Sequence, residues 1–281
     1  MADIQRIAIT HSDGYAAHAR YWPALAPARG AVLYLHGIQS HGGWFEPSAA
    51  ALATAGFHVL LPDRRGSGCN RQDRGHACSA GRLLKDVAEA GDWLKRATAV
   101  STFALVGISW GGKLALAAAM HSPESIYKVV LVAPGLFPQV DLTGREKLAV
   151  ALNALIRPRR PFPVPLNEPE LFTDNPDKQA FIRDDPLRLR TATARFLAAS
   201  RMLDIRIRRA ATRHQWPFAV TIILAGRERI IDNEQTKRFA RTLRCRSRRI
   251  VEHTNAAHTL EFEPDPSDYL ADLVTAVASR Q

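Results

Sequence analysis

Within VGISWGGK, a serine at position 109 stands in G-x-S-x-G, behind an apolar run and ahead of a string of small helix formers, KLALAAAM. A sharp strand-to-helix turn at that point pushes the Ser109 hydroxyl out at the carboxyl edge of a sheet, and glycines at 107 and 111 permit the close backbone approach. Gly112 lets the helix pack tightly on neighbouring strands. A hydroxyl so placed suits attack on an acyl carbon, provided a base and a site for the developing oxyanion stand beside it. The competing reading is a structural turn serine. Strand before and helix after favour the catalytic one.

The base is sought among ten histidines, most of which must be structural. In NAAHTLEFEPD, His258 follows the last apolar run and precedes the last helical stretch, which is where the order serine, acid, histidine requires a base. His253 falls at the end of the strand itself. His36 precedes Gly37 at the end of an early strand and reads as a turn-stabilising residue. His41, in SHGGW, can approach a substrate, but its spacing does not demand it.

The acid must emerge within a few residues of a strand's carboxyl end, and LAGRERIIDN (224–233) offers two carboxylates. Gly226 breaks the strand and Glu228 follows two residues later. Asp232, just before NEQTKRFARTL, has with Gln235 the form of a capping box at a helix N-terminus. Glu228 is therefore the expected acid, with Asp232 as the alternative. Oxyanion donors should be backbone amides, one from Trp110 after the nucleophile and one from Ile38 in the loop after YLHG. Residue type says little about such donors; position carries the assignment.

These residues need a frame. AVLYLHG (31–37), HVLLPDRRG (58–66), TFALVGIS (102–109), KVVLVAPG (128–135), FAVTIILAG (218–226) and RRIVEH (248–253) are strand candidates, mostly apolar on both alternating faces as parallel strands covered by helices are. Helical patterns lie between them at 46–55, 81–96, 111–121, 234–243 and 266–279. The alternation predicts an α/β, doubly wound, mostly parallel sheet. Residues 4–24, turning at Asp13-Gly14, predict an antiparallel hairpin at the sheet's edge. From about 137 to 215 the alternation stops in an arginine- and proline-rich stretch with helical segments and no convincing strand. The expected organisation is a core of residues 1–137 and 216–281 with a helical cap inserted at 138–215.

The 281 residues, 46% hydrophobic and 23% charged, are enough for one sizeable core. No signal-peptide pattern and no run of 18 apolar residues is present, and Cys69, Cys78 and Cys245 form neither a C-x-x-C pair nor a disulfide framework. A reducing cytoplasm suits that pattern. No His/Cys/Asp grouping has metal-ligand spacing, so neither metal nor other cofactor is expected. The net charge of +11 comes without the aromatic-basic repeats or helix-turn-helix pattern of nucleic-acid binding.

HGIQSHGGWF, PDRRGSG, GISWGG, ILAGRERIID and AAHTLEFEP, in that order over nearly the whole chain, resemble the α/β-hydrolase superfamily. Within it they are similar to the monoglyceride lipase and lysophospholipase-like group, also described as serine aminopeptidase-like hydrolases. FTDNPDKQAFIRDDPLRLR looks like that group's cap. The resemblance implies Ser109 as nucleophile, His258 as base, an acid from the ILAGRERIID loop and oxyanion amides at Ile38 and Trp110. Aligning the I-I-D that follows the acid puts Glu228 at its position, a departure from relatives that usually show Asp. PDRRGSG lacks the lysine and spacing of a P-loop; Asp63 and Arg65 read as residues that fix the turn beside the site.

The expected activity is cofactor-free hydrolysis of medium-to-long acyl esters such as monoacylglycerols or lysophospholipids. Amide or peptide hydrolysis and acyl transfer would use the same machinery, and a non-catalytic ligand-binding protein is the alternative from another class. KLAVALNALIRPRR (147–160) sets Leu148, Leu152, Leu155 and Ile156 on one helical face beside a basic run. That face either packs on the core as an ordinary cap helix does, or rests on an anionic lipid surface.

Overall fold

A computed structural model describes residues 3–25 and 27–279. Apolar residues at every position of β5 (Phe103–Ile108), and at every position but Thr221 of β9 (Ala219–Ala225), leave neither face of those strands compatible with water, and both strands are buried throughout. They lie in an eight-stranded sheet with β1 (Gln5–Thr10), β2 (Ala16–Trp22), β3 (Gly30–Leu35), β4 (Phe57–Pro62), β6 (Ile126–Val132) and β10 (Arg248–His253), in the order β1-β2-β4-β3-β5-β6-β9-β10. β1 pairs antiparallel with β2, as the Asp13-Gly14 turn predicts, and β2 antiparallel with β4. The remaining pairs are parallel.

Helices cover the sheet. α1 (Glu46–Thr54) packs with α8 (Ser267–Ala278), and α2 (Ala80–Thr98) packs with α3 (Trp110–His121). α7 (Asn233–Thr242) links β9 to β10. Parallel pairing puts the carboxyl ends of β3, β5, β9 and β10 at one edge, where the loops holding residues 36–45, 109, 226–232 and 254–259 emerge together.

The stretch between β6 and β9 holds α4 (Gly144–Ile156), α5 (Pro176–Asp184) and α6 (Ala194–Ala210), with α6 packed on both α4 and α3. It also holds two strands where none was expected: β7 (Pro161–Pro163) and β8 (Thr191–Thr193) form an antiparallel pair. Three residues are too few to show a period, and proline removes a ladder donor, so PFP carried no strand signal.

The apolar face of α4 does not pack on the core. Val150, Asn153 and Ala154 are the buried residues of α4, and a Thr143–Glu146 capping box fixes its start. Leu148, Leu152, Leu155 and Ile156 are 72%, 54%, 79% and 63% exposed. The spacing found the face; only the tertiary arrangement says which way it looks.

Candidate active site

Ser109 joins β5 to α3 with no linker, and the junction bends its backbone to φ 54°, ψ −124°. A side chain on a non-glycine residue rarely takes positive φ, so the turn is strained and held by its surroundings. The Ser109 amide donates to Val132 O at 2.9 Å, and its carbonyl accepts the Gly112 and Gly135 amides at 2.9 and 2.7 Å. A Cβ at Gly107 would lie 2.4 Å from Gly111 O, and one at Gly111 would lie 2.2 Å from Leu35 O. Both glycines are thus required by backbone approach.

His258 sits in the loop after β10 with its side chain 1% exposed. Its Nδ1 stands 2.8 Å from Glu228 Oε2 and 2.9 Å from Oε1, and its Nε2 is buried with no hydrogen-bond partner among the described residues. An N–H on Nδ1 satisfies the carboxylate and leaves Nε2 as the nitrogen able to accept a proton. The Phe172 ring meets the imidazole edge-on, centroids 6.0 Å apart, and the Phe172 carbonyl accepts the Thr259 amide at 2.8 Å. The Ser109 hydroxyl and Nε2 make no direct hydrogen bond; in free enzymes such bonds are often long and tighten around substrate.

The Glu228 side chain is 2% exposed. Burial alone would push its carboxyl up, but the charge and hydrogen bond of His258, with the Ile230 and Ile231 amides, hold it below the ordinary glutamate range. Oε1 accepts the Ile230 and Arg229 amides at 2.8 and 3.0 Å. The longer arm therefore folds back over its own turn while still reaching the imidazole. Arg227 and Arg229, on either side, each reach Asp174 at 2.8 Å, tying this loop to the segment before α5.

Asp232 is not brought to His258. It is the N-cap of α7, accepting the Gln235 amide at 2.8 Å and the Gln235 side-chain amide at 2.7 Å. His253 ends β10, with Nε2 3.3 Å from Asp272 on α8. His41 is buried, its Nε2 3.1 Å from Asp185 and its Nδ1 accepting the Gly43 amide, so it braces the loop after β3.

The amide of Ile38 is held by a clamp that the sequence does not announce. Gly37 O accepts from His36 Nδ1 at 2.8 Å and from Arg64 Nη1 at 3.1 Å. Because C=O and N–H of one trans peptide point oppositely, fixing that oxygen aims the Ile38 N–H the other way. The His36 tautomer agrees: Nε2 accepts the Arg64 amide at 2.9 Å, leaving the hydrogen on Nδ1. Burial first, then the charge of Arg64, pushes the His36 pKa down to about 3, so the ring is neutral. Arg64 Nη2 holds Ile38 O at 3.1 Å while the guanidinium stacks 4.7 Å over Trp110 and 5.0 Å over Phe196 of α6. Trp110 N–H is the first amide of α3 and has no intrahelical acceptor, and the Trp110 indole donates to Ser200 Oγ of α6 at 2.8 Å. Both expected oxyanion amides are thus anchored.

Asp63 and Arg65 fix the turn after β4. Asp63 accepts the Gly42 and Cys69 amides at 2.7 and 2.8 Å and Arg20 at 3.0 Å. Arg65 binds Asp86 through two bonds of 2.8 and 2.9 Å. Folding also gathers two ligand-like groups that sequence spacing hides, His18–Asp63–Cys69 and His11–Asp86–Glu89. Asp63 is already engaged in the loop, and Asp86 and Glu89 are ion-paired with Arg82 at 2.8 and 2.6 Å.

The model of the family described as serine aminopeptidase, S33, matches residues 26–265. Human monoglyceride lipase is 21% identical over 259 residues, covering 91% of this chain and 84% of its own. The crystal structure of Paleococcus ferrophilus monoacylglycerol lipase superposes with a TM-score of 0.84 at 22% identity, over 94% of this chain and 99% of that one. A soluble variant of Saccharomyces cerevisiae monoglyceride lipase, in complex with a substrate analog, gives 0.80 at 17% identity over 99% and 96%. At those identities the structural likeness speaks for the α/β-hydrolase fold.

Proposed function

Because this chain belongs to the serine aminopeptidase S33 family, in the monoglyceride lipase-like group of α/β-hydrolases, we propose that it hydrolyses carboxylic esters of medium-to-long acyl chains through an acyl-enzyme on Ser109. Monoacylglycerols and lysophospholipids are the substrate class. The observation that carries the reading is the buried His258 imidazole, with Nδ1 at 2.8 Å from the Glu228 carboxylate and Nε2 without a hydrogen-bond partner among the described residues.

In this mechanism His258 Nε2 takes the Ser109 proton as Oγ attacks the acyl carbon, and Glu228 stabilises the imidazolium that results. The oxyanion is met by the Ile38 and Trp110 amides, each worth roughly 3 kcal/mol in the transition state. Collapse expels the alcohol with the proton held on His258. Water, activated by the same nitrogen, then releases the acid. No step calls for a metal or cofactor. We assign residues 138–215 as a cap over the cleft and 1–137 with 216–281 as the core, and the free cysteines suit work in the cytoplasm.

The test is a panel of p-nitrophenyl esters of increasing acyl length, run beside aminoacyl p-nitroanilides, with fluorophosphonate labelling of Ser109 alongside. Ester turnover that rises into the medium-to-long range supports the reading. Faster anilide turnover would move the activity to amide bonds, and an enzyme that neither labels nor turns over would sink it.

We also assign the solvent face of α4 to an anionic lipid surface. No helix among the described residues is long and apolar enough to cross a membrane, but Leu148, Leu152, Leu155 and Ile156 stand exposed beside the exposed Arg157. Apolar contact and basic charge together give interfacial binding, roughly 1 kcal/mol per basic residue near such a surface. Co-sedimentation should occur with anionic vesicles, weaken with salt, and fall away in Leu152→Glu/Leu155→Glu. Equal binding to neutral and anionic vesicles would overturn the assignment.

A further inference from the structure

Between Ile38, which supplies an oxyanion amide in the mechanism above, and His41, which braces the loop, lies a hydroxyl that serves no other described residue. Ser40 is 4% exposed, and its Oγ is buried without a hydrogen-bond partner among the described residues. Buried hydroxyls almost always find a partner, because dehydration otherwise goes uncompensated. A single hydroxyl rotor can usually turn to meet one, so its failure here reflects what surrounds it.

What surrounds it is the nucleophile. A methyl group built on Gly37 would lie 3.1 Å from Ser40 Oγ, 3.5 Å from Ser109 Cβ and 3.8 Å from Ser109 Oγ. The two hydroxyls therefore flank one small space over Gly37, kept open because that residue has no side chain. The Ile38 amide is the next group along the same backbone. A carbonyl oxygen held near that amide, on a substrate whose acyl carbon is meeting Ser109 Oγ, comes within reach of Ser40.

Ser40 also cannot swing away. On one side Gln39 O accepts the Leu189 amide at 2.8 Å and Gln39 Oε1 accepts Arg188 Nε at 3.0 Å. On the other, His41 is fixed by Asp185 and by the Gly43 amide. A donor set rigidly in place before reaction is the kind that stabilises developing charge without reorganising.

We infer that Ser40 is a catalytic residue: its Oγ–H donates to the carbonyl oxygen of the bound acyl ester, beside the Ile38 and Trp110 amides, and the bond strengthens as that oxygen becomes an oxyanion. The inference rests on the serine hydrolase reading and adds a third, side-chain donor to it.

The test is clean, since Ser40→Ala breaks no side-chain hydrogen bond among the described residues. Tm should stay at the wild-type value and KM should change little, while kcat falls roughly 10²-fold, as for loss of one oxyanion donor. The affinity of a trifluoromethyl ketone, whose adduct with Ser109 carries the oxyanion, should weaken by the same factor as kcat/KM. Ser109→Ala is the control. If wild type turns over esters, Ser109→Ala is dead and Ser40→Ala keeps kcat within about twofold, the inference fails and the hydrolase reading stands. A loss of kcat that comes with a lowered Tm and an unchanged ketone affinity also overturns it, in favour of a packing role. A wild-type protein that neither labels with fluorophosphonate nor cleaves any ester ends both.

Discussion

His258→Ala should lower kcat by on the order of 10⁴-fold or more, while His253→Ala keeps nearly all of it. The two histidines lie five residues apart and both stand near carboxylates, so proximity to an acid does not tell them apart. Burial and direction do. His253 ends β10 with its side chain 17% exposed and its Nε2 at an ion-pair distance of 3.3 Å from Asp272 on α8, with no hydrogen bond between them. His258 is 1% exposed in its side chain, hydrogen-bonds through Nδ1 to a carboxylate whose side chain is 2% exposed, and keeps Nε2 without a hydrogen-bond partner among the described residues. In the proposed mechanism its removal deprives Ser109 of the group that takes its proton, and only the binding and oxyanion contributions to rate would remain. Steady-state turnover of a p-nitrophenyl ester by the two purified variants checks this. A His253→Ala variant that is inactive while His258→Ala turns over would place the base on the wrong loop.

The strands that carry these residues were readable because a strand buried on both faces has almost no freedom of composition. TFALVGIS and FAVTIILAG fall within a residue of β5 and β9 at each end. Ser109 and His258 were readable because the chain order and the glycine pattern constrain them locally. The clamp on the Ile38 peptide was not. PDRRGSG shows two adjacent arginines that look alike, and only contacts across more than twenty residues separate Arg65, tied to Asp86, from Arg64, tied to Gly37 and Ile38. Such contacts leave no period and no spacing in the chain. The outward direction of Leu148 and Leu155 was hidden for the same reason: amphipathic spacing says that a face exists, and packing decides whether protein or solvent meets it. The orphaned Ser40 hydroxyl is the extreme case, a feature defined by a contact that is missing.

Glu228→Gln should fold normally and lose several powers of ten in kcat, whereas Asp232→Ala should keep most of its kcat and lose stability. Four residues separate these carboxylates, and the chain gives them different work. Glu228 emerges two residues past Gly226 and turns inward until both oxygens stand within 2.9 Å of His258 Nδ1. Its charge is preserved there because His258 and the Ile230 and Ile231 amides outweigh burial and keep the carboxyl below its ordinary range. Glutamine retains the shape and can still accept a hydrogen bond, so the fold has little reason to change. What it cannot supply is the negative charge that stabilises the imidazolium as Ser109 gives up its proton, and its amide admits the wrong tautomer. An acid-to-amide change in such a triad lowers kcat by roughly 10⁴. Asp232 faces the opposite demand. Its oxygens accept the Gln235 amide and side chain at the first turn of α7, and alanine leaves those donors unmet, which should lower Tm by on the order of 2–4 °C. Ester turnover and Tm measured side by side on the two variants separate the roles. An inactive Asp232→Ala beside a freely active Glu228→Gln would reverse them, and would require the loop after β9 to rearrange before His258 could act.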